Sequence, residues 1–264
     1  MRVLVTGAAS GIGRATCLRL ARDGQARGRR TGVAALDLQP SADLDGLVRE
    51  LSALGADSVA VHADVGDPAA TRRAVETAVA RLGGLDGLVS NAGISRPGPL
   101  LDHSVEDWDR VFAVNTRATL VLVQASRAAL AASGGSVVAV ASMSGIEPHA
   151  NLASYGPSKA ALIMLVRVLA QELAVEGVRV NAVSPGMVRT QMTERVYQDE
   201  EIAARRAALV PLGRVAGPDD IADVIAFLLS PDARYVTGSN LLADGGITGN
   251  LLGRLPGLSR ITRR

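Results

Sequence analysis

Tyr155 and Lys159 stand four residues apart in the stretch SYGPSKAAL, residues 154–162. That spacing places two side chains on one face of a helix. A phenol beside an ammonium is a proton-transfer pair, because the cation stabilises phenolate and draws down a group that ordinarily titrates near 10. Pro157 lies between them, which a helix tolerates only in its first turn, so the pair must sit where a helix begins. Lys159 is also the single lysine of the chain; the other twenty-seven of the 28 basic side chains are arginines. Guanidinium is a wide planar fork and ammonium a compact point charge on a flexible stem. A lysine kept against that bias points to a site that needs the compact charge. The bland alternative is a packed tyrosine with a solvated lysine, itself a good helix former.

A second cluster opens the chain. Thr6-Gly7-Ala8-Ala9-Ser10-Gly11-Ile12-Gly13 follows an apolar run and precedes a helical pattern. Glycines there let the backbone turn tightly and approach a pyrophosphate, whose charge meets the N-terminus of the next helix. The spacing is G-x-x-x-G-x-G. A dinucleotide site also needs an acid at the end of the second strand, roughly 20 residues beyond the glycines. Asp37, closing VAALD, lies 24 past Gly13, the excess coming from an Arg/Gly-rich insertion at residues 25–31. A carboxylate there accepts ribose hydroxyls and repels an added phosphate, which favours NAD over NADP. Arg14, Arg29 and Arg30 are the groups that would serve NADP instead.

These residues need a frame. Strand-like runs at 3–6, 33–37, 58–63, 87–90, 136–141, 178–183 and 240–243 alternate with helical patterns, among them 15–22, 68–82, 108–130, 157–174 and 219–229. Runs such as VVAV and GLVS are apolar on both faces, the signature of a buried parallel sheet covered on each side by helices. The expectation is an α/β single-domain Rossmann-like, doubly wound sheet of about seven parallel strands over residues 1–248. Ligands of such sheets bind outside the carboxyl ends of the strands.

Composition narrows the partners. Of 264 residues, 48% are apolar and 20% charged, with a net charge of +2, so the chain reads as globular. Scattered basic residues and 2% aromatics argue against nucleic acid. The lone Cys17 sits in a helical Ala/Leu-rich stretch and reads as a packed thiol in a reducing compartment. The three histidines are far apart, so no metal site is expected. The uncharged run 128–146 is broken by Ser133-Gly134-Gly135-Ser136 and is not a spanning helix. The opening VLVTGAASGIG has no apolar segment behind a basic start, and a cytoplasmic location is expected.

The motifs in order, TGAASGIG, DV at Asp64-Val65, NAG at Asn91–Gly93, VN at Val114-Asn115, Ser142 after a strand, YGPSK at Tyr155–Lys159, Asn181, PGMVRT at Pro185–Thr190 and DGG at Asp244–Gly246, resemble those of the short-chain dehydrogenase/reductase family. The resemblance runs from Arg2 to about Ile247. Ser90 departs from it, standing where the family more often has a second asparagine. It implies that Lys159 lowers the Tyr155 phenol and holds the nicotinamide ribose, that Ser142 binds the substrate oxygen, and that Asn115 interrupts a helix and holds a water leading to the lysine. Tyr155 then passes the hydroxyl proton while hydride moves between carbon and nicotinamide. It further implies cofactor contacts at Gly7, Ser10, Gly11, Ile12, Gly13, Asp37, Asp64, Val65, Asn91, Ala92, Gly93, Tyr155, Lys159, Pro185, Gly186, Val188 and Thr190.

The substrate is less legible. Residues 187–212 should form a lid without a recognisable anion clamp, and Ile94, Met143, Ile146, Leu152 and Met187 suggest an apolar pocket. A hydrophobic secondary alcohol or ketone is the expected substrate; an NADPH-dependent 3-oxoacyl thioester reductase is the alternative enzyme, and an idle dinucleotide-binding regulator the alternative of another class. His149 reads as a solvent-facing loop residue. The family resemblance implies a homotetramer built on the two long central helices. The tail at 249–264, with Leu251, Leu252, Leu255 and Leu258, is expected to pack on a neighbouring subunit.

Overall fold

The computed structural model describes residues 1–250, so the four leucines of the tail lie outside the described residues. Seven strands, β1 (Arg2–Thr6), β2 (Gly32–Asp37), β3 (Asp57–His62), β4 (Gly87–Ser90), β5 (Ser136–Val140), β6 (Arg179–Pro185) and β7 (Asn240–Ala243), form one sheet in the order β3-β2-β1-β4-β5-β6-β7. Every pairing is parallel. The chain runs outward from β1 to β3, returns to lay β4 beside β1, and continues to β7. That reversal leaves a crevice at the carboxyl ends of β1 and β4.

Alternation along each strand divides the core between the two faces. Val3 and Val5 join Cys17, Leu18, Leu44, Leu47 and Ile225 on one side, whereas Leu4 joins Val75, Leu122, Leu162 and Leu169 on the other. All five residues of β5 are buried, which is why its sequence carries no polar alternation. Burial pushes the Cys17 thiol up to about 12, as a packed core thiol requires.

The helices are α1 (Gly11–Ala26), α2 (Ala42–Ala53), α3 (Pro68–Leu82), α4 (Val105–Phe112), α5 (Ala118–Ser133), α6 (Tyr155–Leu173), α7 (Glu194–Tyr197), α8 (Glu200–Leu209) and α9 (Pro218–Leu229). The expected helix 108–130 is two helices joined by a π-helical turn, Ala113–Arg117, with Asn115 at its centre. Helix α1 begins at Gly11, inside the glycine turn, rather than at residue 15. Helix α6 begins at Tyr155, leaving Pro157 in its first turn as the sequence demands. No helix among the described residues is long and apolar enough to cross a membrane.

Candidate active site

The crevice is a cleft of about 740 Å³ that runs from the end of β2, across β1 and β4, to α7 and α8. At its head the glycine turn is built by close approach. Gly7 adopts φ +65°, a conformation glycine takes without strain. A Cβ on Gly13 would stand 2.1 Å from the Gly7 carbonyl oxygen, so only glycine lets α1 pack this close to the turn. The turn is tied to β4 by Asn91, whose Nδ2 donates to the carbonyls of Thr6 (2.9 Å) and Gly7 (3.2 Å). The Thr6 hydroxyl accepts from the amides of Asn91 and Ala92. The backbone amides at the start of α1 therefore face the cleft in the geometry that receives an anion.

Asp37 closes β2 at the rim. Its two oxygens accept from the backbone amides of Ala9 (2.8 Å) and Leu38 (2.8 Å), which fixes the carboxylate on the cleft wall with lone pairs to spare. The next strand end supplies Asp64, held by Arg110 at 3.0 Å and by the amide of Gly66 at 2.8 Å. Burial would raise its carboxyl, but these hydrogen bonds and the Arg110 charge together bring it below the ordinary carboxylate value.

The far half of the cleft holds the reactive groups. Ser142 follows β5, and the Ser144 amide donates to its Oγ across a short turn. Tyr155 opens α6, and the Ser142 hydroxyl is placed to stabilise its phenolate by hydrogen bonding. Lys159, one helical turn on, is buried; its Nζ lies 5.8 Å from the Tyr155 ring centre and donates to the Val140 carbonyl at 2.8 Å. Burial lowers the ammonium from 10.5 to about 8, so it stays a cation at neutral pH. The expectation that the lysine draws the phenol down is not met by these groups alone. Burial raises Tyr155 above 10, and the Ser142 hydrogen bond offsets this only in part. Tyr155 keeps part of its surface open to the cleft, yet lies deep enough for desolvation to dominate.

Of the catalytic and cofactor-contacting residues expected from sequence, all border this one cleft except Gly13 and Asn115. Gly13 stands behind the turn for the packing reason just given. Asn115 is buried, and its amide is used within the protein: Oδ1 accepts from Ile94 N (2.8 Å), and Nδ2 donates to Ile94 O (2.9 Å) and Ser158 Oγ (3.0 Å). Its side chain thus positions the loop after β4 against α6 without touching the cleft. Ile94, Met143, Leu152 and Met187 form the apolar wall as expected, but Ile146 does not, being 44% exposed. His149 is exposed and stands at the mouth. Ser90 hydrogen-bonds Thr119 at 2.7 Å behind the sheet, so the family's second asparagine is replaced by a satisfied pair.

Sequence reasoning missed the support beneath Tyr155. Asn151 (φ +65°) and Ala153 (φ +43°) are both left-handed, a conformation that strains a residue with a Cβ. The loop after β4 holds this segment: Gly98 N donates to Asn151 O (2.9 Å), and His103 Nε2 hydrogen-bonds the buried Ser154 Oγ at 2.9 Å. The partners lie 51 residues apart, and no local pattern announces them.

Comparison with known proteins accords with this geometry. A family model described as Enoyl-(Acyl carrier protein) reductase matches residues 7–248. The (3R)-3-hydroxyacyl-CoA dehydrogenase of Mus musculus is 41% identical over 254 residues, covering 92% of this chain and 95% of the relative. The 3-oxoacyl-[acyl-carrier-protein] reductase FabG of Thermotoga maritima is 38% identical over 247 residues, with 92% and 96% covered. The chain belongs to the short-chain dehydrogenase/reductase family. A crystal structure of a short-chain dehydrogenase from Burkholderia cenocepacia J2315 in complex with NADP superposes on this one with a TM-score of 0.84 and 36% identity, covering 93% of this chain and 97% of that one. As a short-chain dehydrogenase/reductase the chain is an oxidoreductase that binds a nicotinamide dinucleotide, and the reading as an idle regulator falls away. The glycine cradle, the amides at the start of α1 and the carboxylate of Asp37 are the features of this short-chain dehydrogenase/reductase that fit such a cofactor.

Proposed function

We propose that the enzyme interconverts a hydrophobic secondary alcohol and its ketone with NAD(H), Ser142, Tyr155 and Lys159 acting on the substrate oxygen. The observation that carries this reading is the convergence of those three side chains at one end of a cleft whose other end carries Asp37. When bound, the nicotinamide supplies or accepts hydride. The chain's own residues do the rest. Ser142 fixes the substrate oxygen by hydrogen bonding. Tyr155, protonated at neutral pH because burial holds its phenol above 10, gives its proton to the developing alkoxide, a transfer that typically supplies about 10²–10⁴-fold. Lys159, cationic because its lowered value of about 8 still exceeds 7, stabilises the phenolate left behind. The glycine turn, Asp64, Val65, Ala92 and Gly93 line the adenosine side, and Pro185, Gly186, Val188 and Thr190 the nicotinamide side.

NAD is favoured by the wall around Asp37. Among the described residues the cations bordering the cleft are Arg110, Lys159 and Arg206; Arg14 instead pairs with Glu50 at 2.5 Å. A 2′-phosphate beside Asp37 would face an anion fixed by two amides. A 3-hydroxyacyl or 3-oxoacyl thioester is the second substrate reading, supported by the names of the mouse and Thermotoga relatives.

A homotetramer is proposed on the exposed apolar residues Met164 and Val168, four apart on one face of α6. The functional reading is tested by assaying a panel of ketones and alcohols with both cofactors. NAD(H) should serve far better than NADP(H), and Asp37→Ala should narrow the gap. Wild-type preference for NADP(H) would overturn the ribose assignment.

A further inference from the structure

Arg206, on the lid helix α8, has no carboxylate partner among the described residues. Of the three other arginines at 187–212, Arg189 pairs with Glu194 at 2.6 Å and Arg205 with Glu201 at 2.5 Å, whereas Arg195 is exposed and does not border the cleft; Arg214, just beyond, pairs with Asp220 at 2.6 Å. Arg206 borders the cleft and is half-buried. Its guanidinium carbon lies 5.5 Å from the ring centre of the buried Tyr197, and Nη1 lies 3.5 Å from the Tyr197 hydroxyl. The ring face orients the cation and leaves most of its five donors unspent. The same cleft is lined by the apolar Met192 and Val196 and the polar Gln191 and Thr193 from the lid segment, and by Leu152 from the loop before α6. The acids that border the cleft among the described residues, Asp37 and Asp64, close β2 and follow β3, at the end assigned to adenosine.

We propose that Arg206 is a specificity-determining residue that receives an anionic oxygen group, carboxylate or phosphate, carried by the substrate at a distance from its reacting carbonyl. The inference rests on the ketone/alcohol reading and deepens it: the substrate is amphipathic, with an apolar stem along Leu152, Met192 and Val196 and an anion at the lid. A partly desolvated guanidinium gains more from an anion than an exposed one does, and its planar fork matches both oxygen groups bidentately. Docking the anion on α8 would also hold the lid over the substrate, coupling recognition to closure.

The test measures kcat/KM with saturating NADH for 2-octanone, 7-oxooctanoate and acetoacetyl coenzyme A, in the wild type, Arg206→Gln and Arg206→Lys. The ratio of the preferred anionic substrate to the neutral ketone should fall at least tenfold in Arg206→Gln, mainly through KM, and recover in part in Arg206→Lys. Whether the carboxylate or the thioester arm collapses identifies the anion. Ratios unchanged by Arg206→Gln would overturn the proposal. If no substrate is turned over, the functional reading fails. Calorimetric binding of octanoate against 1-octanol to the NADH-loaded wild type and Arg206→Gln then decides the Arg206 inference on its own, with equal octanoate affinity counting against it.

Discussion

Replacing Lys159 by Met should make the cofactor-free protein's stability respond to pH in a way that isolates this one ammonium. Lys159 is buried, and its group is lowered from 10.5 to about 8 by desolvation. Between those values the unfolded chain holds a proton that the folded chain has released, so wild-type stability rises with pH across that window. Below about 8 both states are protonated and the full penalty of burying the charge is present; above 10.5 both are neutral and it is gone. The fall from 10.5 to about 8 corresponds to roughly 3 kcal/mol at about 1.4 kcal/mol per unit. Met conserves most of the volume and loses the hydrogen bond to the Val140 carbonyl, a loss that does not vary with pH. The stability difference, variant minus wild type, should therefore shrink by about 3 kcal/mol between pH 7 and pH 10.5. Urea melts of both proteins at the two pH values measure it, and groups common to both cancel. A difference that stays constant with pH would refute the claim that a charged lysine is held out of water at this site.

Other outcomes follow from the same geometry. Gly13→Ala places a methyl 2.1 Å from the Gly7 carbonyl oxygen, so NADH affinity, read by fluorescence titration, should drop by at least tenfold while circular dichroism still reports a folded protein. Lys159→Arg keeps the charge but puts a planar fork where Val140 O, Tyr155 and Gly93 leave room for a point charge; kcat should fall by more than 100-fold, and near-normal turnover would show that only charge matters. Sedimentation should report a tetramer that Met164→Asp with Val168→Asp breaks into smaller species, because both side chains are exposed on one face of α6.

The frame was legible because its signals are local. Strands buried on both faces read as apolar runs, the glycine turn follows the first of them, and Tyr155 and Lys159 share a face only if a helix starts where Pro157 allows. Helix α2 escaped notice because ADLDGLVRELSA carries Gly46 and three acids among a few apolar residues, and it is the packing of Leu44, Leu47 and Leu51 that holds it. The π-helical turn at Asn115 arises from tertiary bonds to Ile94 and Ser158, which no periodicity reports. His103 meets Ser154 only after the sheet has brought β4 and β5 together. Arg206 could have been found: Arg205 has Glu201 one turn back, whereas Arg206 has Ile202 there and Val210 one turn on, leaving it without a partner on its own helix.

The central claim is that Tyr155 hands a proton to a substrate oxygen in a cleft that binds its cofactor independently of that proton. Tyr155→Phe removes the hydroxyl and little else, so the decisive measurement pairs ketone reduction with NADH titration in this one variant. The account predicts turnover reduced by at least 10²-fold with NADH affinity within a factor of about two of the wild type. Turnover retained at wild-type rates, with NADH bound as before, would contradict it.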